Sequence, residues 1–224
     1  MNNYRAILKR VGIVLIAVGI LDIAYFFYYT SQDESFSSSL RGNYSSNGLV
    51  IVVAGIFLLR GSLRAVEIVR WVAAFGISNL VSNIFILLPF LKPAELWAIE
   101  FRLYPVSLCI SFLVKIMSIA LLCWIYTQLR AAPVISASLK SGHSASTPKC
   151  AFILGVASIV LLTGIMQFTV NSAAGTKAVE LARSQYGDKY KYHVTGMRWS
   201  NGNVKASLTA YNEQEIKPIQ VEWK

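Results

Sequence analysis

Residues 11–29, VGIVLIAVGILDIAYFFYY, decide the fold, because nineteen residues carry a single charge, Asp22. About 20 apolar residues in a helix rising about 1.5 Å each cross a hydrocarbon core of about 30 Å. Arg5, Lys9 and Arg10 precede the run, as in a signal peptide, but it ends in AYFFYYT instead of a small-residue cleavage site. The expectation is an uncleaved first span.

The rest of the 224-residue chain agrees with a membrane solvent: 55% of residues are hydrophobic and 14% charged, with mean hydropathy +0.52. That composition excludes an ordinary soluble domain. Five candidate spans follow, at residues 11–29, 45–60, 71–91, 104–127 and 150–170. The second is the short one, since its apolar part is only GLVIVVAGIFLL. If all five cross, the loop charges separate. Arg5, Lys9, Arg10, Arg60, Arg64, Arg70, Arg130, Lys140 and Lys149 fall on one side, and Arg41, Lys92 and Arg102 on the other. The positive-inside rule then makes the N-terminus cytoplasmic and the tail after about residue 171 extracytoplasmic, with a bacterial inner (plasma) membrane as the expected location. The formal charge of +10 is thereby spent mostly at span ends. The lipid bilayer, not nucleic acid, is the partner this charge implies.

Between the spans, TSQDESFSSSLRGNYSSN (30–47) reads as a polar external loop, and its sequon at Asn43 gets no role. RGSLRAVEIVR (60–70) sets Leu63, Val66 and Val69 opposite Arg60, Arg64 and Glu67 at helical spacing. AAPVISASLKSGHSASTPK (131–149) is rich in Ala, Ser and Pro and reads as a flexible cytoplasmic linker. It separates a four-span module, 1–130, from a fifth span, 150–171, and an external domain, 172–224.

In that domain GTKAVELARSQYG has helical spacing and ends on Gly187. Beyond it the period becomes two: Val204, Ala206, Leu208 and Ala210 share one face, and Ile219, Val221 and Trp223 another. Asn201-Gly202 supplies one hairpin turn, NEQE a second, and Pro218 marks an edge strand. The expected fold is mainly α, a polytopic membrane protein with five spans and a small α+β extracytoplasmic domain of one helix and a three-stranded antiparallel meander. A unit this small buries little core, so it needs a surface to lean on. Tyr190, Tyr192, Trp199, Tyr211 and Trp223 are the candidates for a partner contact, on another membrane or periplasmic protein.

Chemistry is pruned by what the residues are. The only histidines are His143 and His193, both outside the spans, so a bis-histidine haem or multi-histidine metal centre is not expected. Cys109, Cys123 and Cys150 form no CxxC pair. No hydrolase, P-loop or dinucleotide motif occurs, and nothing argues for an enzyme or a cofactor. KPAELWAIEFRLYP (92–105) resolves into an interfacial anchor with Trp97 and Tyr104 as belt residues.

Polar residues inside the spans say more. Counted from the cytoplasmic end, Asp22 lies about 16 Å deep and Asn83 and Lys115 about 18 Å deep. A charge at that depth costs about 2.5–3.5 kcal/mol on insertion scales and seeks a partner. The expectation is a buried cluster of Asp22, Asn79, Asn83 and Lys115, with Gly12 and Gly19 on the Asp22 stripe permitting close helix approach. Two functions fit: an accessory, assembly or sensing protein whose external domain contacts a partner, or a small transporter or channel built on the polar cluster.

Overall fold

The computed structural model describes residues 3–31, 47–143, 146–200 and 202–224. The Ser-rich loop with its sequon, and Asn201 of the expected hairpin turn, lie outside these residues. The described chain is mostly helical, with a C-terminal antiparallel sheet. Four helices are long and apolar enough to cross a membrane: α1 (Asn3–Ser31), α3 (Leu63–Leu91), α5 (Pro105–Leu129) and α7 (Lys149–Val170). The expected span at 45–60 is represented by α2 (Gly48–Leu59), which has 12 residues. At about 1.5 Å per residue it measures about 18 Å, short of a hydrocarbon core. The remaining helices are α4 (Ala94–Leu103), α6 (Ala132–Lys140) and α8 (Ala173–Tyr186).

The chain forms two compact units, Met1–Ile77 with Ala120–Phe152 and Ser78–Ile119 with Ile153–Lys224. Helices α3, α5 and α7 each give residues to both units.

In the first unit α1 and α2 run antiparallel on reciprocal glycines. A Cβ on Gly12 would stand 2.8 Å from the Gly55 carbonyl oxygen, and one on Gly48 would stand 2.5 Å from that of Gly19. Only backbone without side chains comes this close, and dispersion between the two helices is the return. Leu8, Val11, Leu58, Val66, Ile125 and Leu129 complete the core. Val66 and Val69 are buried as the amphipathic spacing of 60–70 requires. Where a flexible linker is expected, α6 is a helix. Pro133 stands in its first turn, where its missing N–H is harmless, and Val134 and Ser138, one turn apart, are buried. Composition alone could not register that burial.

In the second unit α3 leaves regular geometry. Asn83–Leu87 forms a π-helical turn in which the Leu88 N–H donates to the Asn83 carbonyl five residues back. Pro89 explains it: proline cannot donate to the carbonyl four residues behind, and its ring would strike it, so the helix widens. The tail folds as the alternation demands. Strands β1 (Lys191–Ser200), β2 (Asn203–Tyr211) and β3 (Ile216–Trp223) form a meander with β2 central. Pro218 lies on the edge strand β3, and a bulge at Thr195 shifts the β1–β2 register. Gly202, at φ +77°, turns the first hairpin, while Asn212 Oδ1 accepts from the Gln214 and Glu215 N–H groups in the second. α8 covers one face of the sheet, with Ala178 and Ala182 against Val194, Ala206, Leu208 and Val221. Ser172 caps α8 by accepting from the Gly175 N–H at 3.2 Å. Gly175 itself has no room for a side chain, since a Cβ would lie 2.1 Å from the Val170 carbonyl oxygen.

Candidate functional site

Three of the four residues expected in the intramembrane cluster belong to the second unit. Lys115 Nζ donates to Asn83 Oδ1 at 3.1 Å, and within its own unit this is the ammonium's one polar partner among the described residues. Asn83 opens the π turn, so Pro89 sets the local backbone of the residue that receives Lys115. Asn79, one turn earlier, donates to Ser158 Oγ at 3.0 Å and ties α3 to α7. Ser158 is a member of this layer that polarity counting passes over, because a serine in a span satisfies itself on its own helix, here at the Gly155 carbonyl. Thr163 bonds back to Ile159 O on its own helix.

Asp22 belongs to the first unit. Its Oδ2 would lie 3.2 Å from a Cβ on Gly48, the first residue of α2. The carboxylate therefore stands at a helix N-terminus, where unsatisfied N–H groups and the helix dipole favour negative charge. Asp22 and Lys115 thus belong to different units, the acid beside a helix end and the base on an amide.

Outside the spans, the second unit forms a groove of about 720 Å³. One wall is α4, through Glu95, Ala98, Ile99 and Arg102 at i, i+3, i+4 and i+7; the other is Asp188–Lys191 and Tyr211–Glu213. Leu96, on the opposite side of α4, is fully buried, and Trp97 Nε1 donates to Leu88 O. Lys92 pairs with Glu100 and lies 5.2 Å from the centre of the Trp97 ring. Across the groove Lys191 Nζ meets Glu95 at 2.6 Å, which raises the lysine's pKa. Beside it His193 Nε2 lies 2.8 Å from Leu91 O. Burial holds this imidazole below its usual pKa against the opposing effect of the Leu91 carbonyl bond, with Lys92 adding to the lowering, and the ring N–H donates to the carbonyl. These two bonds join β1 to the α3–α4 connection. Neither had a local signal, the partners being 96 and 102 residues apart in sequence.

The five aromatic residues expected at a partner surface divide. Tyr211 is buried, and Tyr192 donates its hydroxyl to Gly187 O. Tyr190 donates to Glu215, whose carboxyl is held below its usual pKa first by Lys217 at 2.7 Å and then by this tyrosine. Lys177 stands 5.7 Å from the centre of the Trp223 ring. Trp199, next to the first hairpin, is 60% exposed. It sits in the same cross-strand row as Val204 and Trp223.

No group of three or more His, Cys, Asp or Glu side chains among the described residues is arranged to hold a metal ion. Comparison with protein-family models, with curated proteins and with solved structures finds no match to this chain.

Proposed function

We propose that this is a multi-pass membrane protein of accessory, assembly or sensing type, without a catalytic centre of its own, whose C-terminal domain docks on a membrane or periplasmic partner. The observation that carries the reading is the pair of bonds from β1 to the α3–α4 connection, Lys191–Glu95 and His193–Leu91 O. They hold the small sheet beside the end of a candidate span, so the domain presents a fixed surface, with Trp199 exposed on it. Exposed tryptophans are common anchors at interfaces. In this reading the N-terminus is cytoplasmic, residues 45–60 complete a fifth crossing, and the domain is extracytoplasmic in a bacterial inner membrane, as the loop charges require. A pull-down in mild detergent, comparing the full chain, Trp199→Ala and a chain lacking 172–224, tests it. Loss of the same partner in both variants is the expected result; an unchanged partner set overturns the reading.

A second reading, a small transporter or channel, is favoured by the Lys115–Asn83 bond at the π turn, since π turns recur at functional sites. Lys115→Gln should then abolish activity at normal protein abundance, whereas loss of abundance marks a structural clamp.

A further inference from the structure

We propose that the groove between α4 and the start of β1 binds the phosphoethanolamine headgroup of a membrane phospholipid, with Arg102 on the phosphate and Glu213 on the ammonium. The placement comes from chain topology. α4 begins three residues after α3 ends and stops two residues before α5 begins, and both flanking helices are long and apolar enough to cross the membrane. With both flanking helices taken as spans, this ten-residue helix is assigned to headgroup level by its short tethers.

The choice of headgroup comes from charge. Of the charged groups lining the groove, Glu95 and Lys191 neutralise each other at 2.6 Å, Asp188 is held by Arg183 at 3.1 Å, and Lys189 lies 4.0 Å from Glu215. Arg102 and Glu213 remain, one cation on α4 and one anion on the β2–β3 turn, and neither has a hydrogen-bond or ion-pair partner among the described residues. One unpaired charge of each sign on opposite walls fits a zwitterion. An anionic headgroup would satisfy Arg102 and repel Glu213. A guanidinium presents paired N–H donors to phosphate oxygens, and a primary ammonium donates to a carboxylate. Choline donates no hydrogen bond and seeks open aromatic faces instead. Tyr190 is already engaged by Lys189 and Lys217, and Tyr211 is buried. The volume of about 720 Å³ lies in the range of small-molecule sites, and Ala98 and Ile99 give the first acyl carbons an apolar wall.

This inference does not rest on partner docking, and its test is separate. The full-length protein in mild detergent is incubated with equimolar dioleoyl phosphatidylethanolamine, phosphatidylglycerol and phosphatidylcholine, and retained lipids are counted by native mass spectrometry. Phosphatidylethanolamine should be retained about tenfold over the other two, the factor expected from one charge-assisted hydrogen bond. Arg102→Ala should bring its retention down to the phosphatidylcholine level. Glu213→Ala should reverse the preference toward phosphatidylglycerol, a change of sign that loss of folding would not produce. Equal retention of the three lipids, or an unchanged preference in Glu213→Ala, overturns the proposal. Displacement of the lipid by equimolar soluble phosphoethanolamine overturns its assignment to the membrane.

Discussion

Gly48 meets two demands at once, from the Gly19 carbonyl oxygen 2.5 Å from where its Cβ would be and from the Asp22 carboxylate beside it. Gly48→Ala must push α1 and α2 apart, and overpacking of this kind costs about 1–3 kcal/mol. A lower midpoint of thermal unfolding in detergent, matched by Gly12→Ala through Gly55, is the expected outcome. Asp22→Asn keeps the shape and removes the charge at the α2 N-terminus, a loss of about 0.3–2 kcal/mol depending on exposure. Protein abundance should fall modestly while any Lys115-dependent activity persists. A loss of activity at full abundance would return Asp22 to the Lys115 site.

Among the elements, the meander stands on few side chains. Leu208 is fully buried between Ala178, Ala182 and Val221, so Leu208→Ala should cost about 2–5 kcal/mol, a large part of what so small a core supplies. Limited proteolysis should then cut within 172–224 and leave the helices ahead of it intact. The attachment of β1 is the element that answers to pH. His193 has a folded pKa below its ordinary value of about 6.5, so the detached strand binds protons more readily than the docked one. Docking is therefore complete above about pH 6.5 and weakens as pH falls through the lowered pKa of the docked state. Protection of the β1 amides against hydrogen exchange, taken relative to the intrinsic rate at each pH, should fall at acid pH, and His193→Gln, which retains a donor without the titration, should flatten the dependence. Glu215 works in the same direction at lower pH. Its pKa is depressed by Lys217 and Tyr190, so its contribution is present above the ordinary carboxylate range and lost as pH falls through the depressed value.

For the whole molecule, local composition and period carried most of the architecture. The four long apolar helices, α8 and the three strands follow from the 3.6 and 2 residue periods, and Pro218 at an edge and Gly202 in a turn follow from backbone chemistry that needs no neighbours. α6 did not, because an Ala, Ser and Pro segment becomes a helix only when Val134 has a core to enter. Lys115 and Asn83 of the expected cluster do bond, whereas Ser158 as the partner of Asn79 had no signal in the sequence. Depth is counted along one helix, whereas Lys115 to Asn83, Asn79 to Ser158 and Asp22 to the end of α2 depend on how helices face one another. The groove had half a signal, the i, i+3, i+4, i+7 set of Glu95, Ala98, Ile99 and Arg102, whose opposite wall arrives from about 90 residues downstream. Sequence alone thus determined the long apolar helices, α8, the strands and which segments prefer lipid, since those preferences are properties of single residues and their spacing. Tertiary structure alone decided which charges neutralise each other and which stay unpaired, because a Coulomb or hydrogen-bond partner is fixed by distance in space.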